Sequence, residues 1–307
     1  MKALTWSPHM RRGLVVYLAL AFGLSWTAQI AVSLWARSLG SGTAVNASLG
    51  GGILAIAVAL MWPPAIAAYV TRRWVERSGF ADAGLRRPAW RYVALAWLGT
   101  PALVLLTTFA SLPLYPFDSE FGALRQAMQA SGQSLPVSPA VIIASQLAFG
   151  VVLGPVINSL FTFGEEFGWR GYLLPRLCAL VGVPRGLALH GAIWGFWHAP
   201  LILLAGHNYP NRPVLGVPLF VVAGMLMGIL IGWLTLRSGS VWTAVIAHAS
   251  LNAVGGAPFF LLKDVDPTIG GLLYSPVGWV VMLAAIAFGS RLGGRALARP
   301  HTVPLSG

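Results

Sequence analysis

Eight apolar runs divide the chain between residues 13 and 291, and each is long enough to cross ~30 Å of hydrocarbon as a helix. They cover 13–35, 50–71, 91–112, 139–162, 186–205, 214–236, 240–260 and 272–291. In lipid every backbone polar group must be satisfied within the structure, so a chain of this kind is confined to helices or a closed barrel. Runs without a two-residue alternation fit helices buried on all sides. The expected fold is therefore all-α: a polytopic transmembrane bundle of about eight spans. Composition agrees, with 57% hydrophobic and 9% charged residues, against about a quarter charged in soluble domains.

The few charges set an orientation. With the N-terminus in the cytoplasm, alternating loops place sixteen of the twenty basic residues inside and four outside: Arg37, Arg125, Arg212 and Lys263. The inner set includes Arg72, Arg73, Arg77, Arg86 and Arg87 in the loop 71–91, and also Arg170 and Arg176. The positive-inside bias predicts both termini in the cytoplasm. The net charge of +12 falls in short loops, where it serves orientation and anionic headgroups, so nucleic acid is not an expected partner. Eighteen of the twenty bases are Arg, a skew that suggests a GC-rich bacterial genome and hence a bacterial cytoplasmic membrane. The run after Arg11 and Arg12 is longer than a signal core and suits a retained first span. Cys178 is the single cysteine, which excludes an internal disulfide and a cysteine-based zinc site. The whole of 1–307 reads as one membrane domain, with a functional core at about 139–260 and a cytoplasmic tail at 292–307.

Polar groups interrupt the second half of the chain. Glu165 and Glu166 are two of eight carboxylates, and no other acid occurs from Phe121 to Lys263. A charge buried away from water is costly unless it is paired. On a helix Glu166 and Arg170 share a face and can pair, whereas Glu165 is rotated by ~100° and can point elsewhere. Trp194 and His198 lie in the fifth run, and His248 and Asn252, four apart, in the seventh. Counted from the inner ends at 1.5 Å per residue, His248 lies ~12 Å and His198 ~18 Å deep. Three helices can thus bring a carboxylate, two imidazoles and an amide into one pocket. His9 and His301 belong to the tails, His207 to an outer loop, and His190 lies near the inner end of the fifth run.

A buried glutamate can take a proton from water, which suits hydrolysis. Two imidazoles and an oxygen donor can hold Zn²⁺ with a position open for water, although the His-Glu-x-x-His motif is absent. A non-enzymatic reading, a proton-coupled transporter or a scaffold or immunity protein, uses the same groups as a relay or as polar glue.

These residues resemble the CPBP family of intramembrane metalloproteases, which includes the type II CAAX prenyl endopeptidases and bacterial proteins linked to bacteriocin immunity. That family is marked by Glu-Glu-x-x-x-Arg, Phe-x-x-x-His and His-x-x-x-Asn in this order. The chain matches with Glu165-Glu166 and Arg170, with His198, and with His248 and Asn252. It departs at Trp194, where the family usually has Phe. The match covers about Leu147 to Gly255. The resemblance implies that Glu165 activates water and that His198, His248 and Asn252 bind a metal or stabilise the oxyanion. It also implies that Glu166 and Arg170 support the site, and that the substrate is a membrane-associated peptide or protein.

Overall fold

The structure is a computed structural model that describes residues 8–38, 53–130, 132 and 137–293. The expected tail 292–307 lies outside the described residues apart from its first two positions. Fourteen α-helices occur among the described residues: α1 Pro8–Ser38, α2 Ile53–Met61, α3 Pro63–Val70, α4 Trp90–Ser111, α5 Gly122–Ala130, α6 Pro139–Val152, α7 Gly154–Gly168, α8 Leu174–Val181, α9 Val183–Trp197, α10 Ala199–Ala205, α11 Pro213–Ser238, α12 Val241–Val254, α13 Pro258–Leu261 and α14 Pro276–Gly293. Two π-helical turns, Thr71–Glu76 and Trp169–Leu173, follow α3 and α7 without a break. No strand forms among these residues, so the all-α expectation holds.

Five helices are long and apolar enough to span a membrane, and two bent pairs bring the number to as many as seven. The bends have local causes. Pro63 and Pro64 follow Trp62 and turn the second span by 50°, because proline cannot donate to the preceding turn. At Leu153–Gly154–Pro155 the fourth span bends by 54°. The eighth expected run gives a shorter helix, since residues 262–275 are taken up by hydrogen-bonded turns before Pro276. Large exposed apolar side chains such as Leu98, Phe109, Val156, Val280 and Phe288 stand on the outside, as they do where lipid is the solvent.

Two expectations need correction. The fourth apolar run, 139–162, was expected to lie on one helix reaching about residue 178. The helical path instead breaks at Leu153 and continues from Gly154 through the π turn to Val181, so Glu165 lies well inside its second part. Buried Arg170 pairs with Glu166 there, and the mutual pairing lets the helix carry charge through the core. The second concerns the inner loop. Arg72, Arg170 and Arg176 are buried, at 0%, 1% and 3% exposure, so three of the sixteen inner bases are not loop charges. Residues 84–86 dock on the bundle: Val241 N–H donates to Gly84 O at 2.8 Å and Arg86 Nε to Gly239 O at 2.7 Å.

Helices α9 and α11 pack through glycine. A methyl added at Gly191 would stand 2.6 Å from Gly224 O, and one added at Gly228 would stand 2.5 Å from Gly191 Cα. Gly195 and Gly224 meet in the same way. Small residues four apart let two backbones approach closely, and this contact sets the register that brings His198 to Phe220.

Candidate active site

Trp194 is the hub of the site. It lies on α9 at 2% exposure. Its indole Nε1–H donates to Glu165 Oε2 at 2.9 Å, and its backbone carbonyl accepts from His198 Nδ1 at 2.9 Å. Its ring supports three charged or titratable groups. The Arg170 guanidinium lies 4.3 Å from the ring centroid, while the rings of His248 and His198 meet it edge-on at 5.3 and 5.7 Å.

Glu166 carries the second set of bonds. Its Oε1 accepts from Arg170 Nη1 at 2.8 Å and from His248 Nδ1 at 2.8 Å. The pairing with Arg170 is the one that the helix spacing predicts. The bond to His248 was not expected; it joins α7 to α12, and it makes Glu166 the carboxylate that orients the imidazole. Such a bond fixes the tautomer and the ring plane. The π turn begins within this charged stretch, at Trp169, and single π turns inside α-helices are frequent at functional sites.

His198 ends one helix and starts the next. Its backbone, at φ −80° and ψ −3°, caps both α9 and α10. Pro200 has no N–H for the preceding turn, which leaves the break at His198. The ring is enclosed by Trp197 at 4.7 Å, Phe220 at 4.8 Å and His207, parallel within 7° at 6.3 Å. His207 is a residue that sequence reasoning missed, because it was placed in an outer loop with no relation to the others. Gly206 and Asn208 flank it at φ +67° and +65°, and buried Tyr209 anchors the loop through a 2.8 Å bond to Tyr274 O. That a glycine precedes and an asparagine follows His207 was the one local signal of a fixed turn.

Asn252 lies one turn beyond His248 on α12. It is exposed and has no hydrogen-bond partner among the described residues, so its amide is free to meet a ligand. His190 is fully buried on α9, two turns before His198 and outside the ring contacts that gather His198 and His248. The structure thus groups Glu165, Glu166, Arg170, Trp194, His198 and His248 in contact, with Asn252 beside them.

Each imidazole gives its Nδ1–H to an acceptor, so in the neutral ring Nε2 carries a lone pair. A neutral imidazole nitrogen of this kind is a common metal ligand. No group of three or more His, Cys, Asp or Glu able to hold a metal occurs among the described residues.

The comparisons with known proteins fall on this region. A family model described as type II CAAX prenyl endopeptidase Rce1-like matches residues 143–254. A curated relative, CAAX prenyl protease 2 of Methanococcus maripaludis, is 26% identical over 208 residues, 66% of this chain and 69% of the relative. The matched segment contains every one of the grouped side chains, together with Asn252, so the chain is similar to the CAAX prenyl endopeptidases across the whole of this site.

Proposed function

We propose that the chain is an intramembrane endopeptidase that hydrolyses a peptide bond in a membrane-associated peptide or protein, with Glu165 as the general base. The observation that carries this reading is the division between the two glutamates. Glu166 Oε1 is committed to Arg170 and His248, and its Oε2 is sealed in the interior without a partner among the described residues, while Glu165 accepts a single bond, through Oε2, from Trp194. Oε1 of Glu165 therefore keeps the lone pairs that a base needs.

Glu165 takes a proton from water as the oxygen attacks the scissile carbonyl carbon. The same carboxyl then delivers that proton to the leaving amide nitrogen as the C–N bond breaks. The oxyanion needs an N–H donor. The neutral imidazoles present lone pairs at Nε2, and the Asn252 amide donates in every protonation state, so Asn252 is assigned to the oxyanion. His198 and His248 are the residues that would hold a zinc ion, which would supply Lewis-acid polarisation of the carbonyl. Glu166 and Arg170 fix His248 and the helix that carries Glu165. On the charge tally both termini are cytoplasmic, the membrane is a bacterial cytoplasmic membrane, and substrate reaches the site from the cytoplasmic half. The proton-relay or scaffold reading is not adopted, because the family model and the relative that the chain resembles are endopeptidases and Asn252 cannot relay a proton.

The name of the relative makes a peptide ending in a prenylated CAAX sequence the first probe. Purified protein in liposomes is given this peptide and its unprenylated counterpart, and wild type is compared with Glu165→Ala. Cleavage by wild type and at least a hundredfold loss in the variant is the expected result, in line with the ~10²–10⁴ supplied by a positioned acid–base group. Equal cleavage by both proteins sinks the assignment of Glu165. Elemental analysis of wild type and His248→Ala tests the zinc assignment, which fails if active protein carries no stoichiometric metal.

A further inference from the structure

A second site lies at the end of the second span, away from the grouped carboxylates and imidazoles. Arg73, Trp74, Arg77, Ser78 and Gly79 line a cleft of about 620 Å³ where the π turn Thr71–Glu76 leaves the bundle. Four features set it apart from a generally basic loop.

The first is charge. Arg73 and Arg77 are exposed and neither has an acid partner among the described residues. The acids nearest in sequence are engaged elsewhere. Glu76 bonds Arg176 Nε at 3.0 Å and accepts from Tyr172 OH at 2.6 Å, and Asp82 pairs with Arg72 at 2.5 Å. Two free guanidinium groups therefore face one cleft.

The second is backbone. Arg77 closes the π turn at φ +50°, a left-handed conformation that a long side chain adopts only under constraint. The constraint is visible: the backbone N–H groups of Arg77 and Ser78 both turn back to Arg72 O. This closure brings Arg77 beside Arg73.

The third is the aromatic wall. Trp74 is 61% exposed, and its ring is fixed edge-on against Tyr69 at 5.9 Å, which stacks on Phe80 at 5.8 Å. Tryptophan at the end of a span belongs at headgroup level. The fourth is rigidity. Buried Arg72 donates to Gly79 O and to Gly171 O, each at 2.9 Å, which ties the cleft to the turn that carries Arg170.

We propose that this cleft binds the phosphate of an anionic phospholipid headgroup, with Arg73 and Arg77 as its two charged contacts and Trp74 packed at the glycerol level. Arginine suits the role because its fork of N–H donors matches phosphate oxygens. Through Arg72 and Gly171, a bound lipid stabilises the helical path that holds Glu165 and Glu166. The inference does not depend on what reaction the protein performs.

The test uses full-length protein in detergent. Native mass spectrometry and thermal unfolding are recorded with phosphatidylglycerol, with phosphatidylcholine and with inorganic phosphate alone. The expected result is retention of phosphatidylglycerol over phosphatidylcholine, with a raised Tm. The doubly substituted Arg73→Gln/Arg77→Gln protein should lose this preference by about 25-fold, at roughly fivefold per arginine near an anionic surface. Arg87→Gln/Arg91→Gln, exposed bases at the end of the same loop and in the first turn of α4, should leave it within about twofold of wild type. Trp74→Ala, which keeps both charges, should reduce the Tm rise. An equal loss in both double variants would show only general attraction to negative lipid and overturn the site. A shift of the same size from inorganic phosphate alone would overturn the lipid assignment.

Discussion

The Trp194 indole N–H donates to Glu165 Oε2 at 2.9 Å. Phenylalanine, usual at this place in the family that the motifs resemble, offers a ring without a donor. The ring alone accounts for the packing of Arg170, His248 and His198; only the N–H holds the carboxylate. Trp194→Phe should therefore fold with a Tm close to wild type and lose about 10- to 100-fold in kcat, the worth of a hydrogen bond to a charged group. An unchanged kcat in cleavage of the prenylated probe would mean that the bond does not position Glu165.

The adjacent glutamates should separate in stability as well as in activity. Glu166→Ala leaves buried Arg170 without its ion pair and removes the Nδ1 acceptor of His248. Breaking a buried pair by removing one partner costs about 3–5 kcal/mol, so thermal unfolding of Glu166→Ala should occur many degrees lower. Glu165 is 3% exposed with one hydrogen bond, and Glu165→Gln removes a buried charge while keeping its shape. That variant should unfold at or above the wild-type temperature with cleavage abolished. Two variants with equal losses of stability would contradict the division of roles.

How much of this was legible follows from sequence distance. The Glu166–Arg170 pair is a four-residue relationship on one helix, and spacing alone predicts it. The bends at Trp62 and Leu153 have equally local causes in Pro63, Pro64, Gly154 and Pro155, although the apolar runs pass through both without a break. The Glu166–His248 bond joins residues 82 positions apart, and it depends on how α7 and α12 are rotated and shifted. That register is set where Gly154 on α7 meets Ala253 on α12, a contact that no hydropathy profile contains. His207 escaped for a related reason: its position over His198 needs a loop closed by Gly206, Asn208 and the Tyr209–Tyr274 bond.

Outside the spans, Asp266 organises the turn before α14. Its side chain accepts from Thr268 Oγ1 at 2.6 Å and from Thr268 N–H at 2.9 Å. The Thr268 hydroxyl bond holds the Asp266 carboxyl below the usual carboxylate range, with Arg212 assisting. A carboxyl depressed on folding adds stability above its unfolded value, and that stability is lost as pH falls through the folded one. Hydrogen exchange should show the Thr268 amide losing protection on acidification through the carboxylate range. Gly270, whose amide bonds the Asp266 backbone carbonyl, should keep its protection further. Asp266→Asn keeps an acceptor oxygen, so the acid-induced change at Thr268 should disappear; its persistence would assign the change to another group.

His207 covers one face of His198, parallel within 7° at 6.3 Å, and it is the exposed member of the rings around it. The other three, Trp194, Trp197 and Phe220, are buried parts of helices, so only His207 can be removed without opening the core. An aromatic contact of this kind is worth about 0.5–1.5 kcal/mol, which corresponds to about 2- to 10-fold. His207→Ala should raise the rate at which diethylpyrocarbonate modifies His198, read by mass spectrometry, by that factor. His207→Phe restores the stacked ring without a nitrogen and should return protection to wild type. In the cleavage assay the alanine variant should lose kcat with KM little changed, because the displaced group is His198 and not a substrate contact. If phenylalanine fails to rescue protection, His207 acts through its nitrogens and the covering role is wrong.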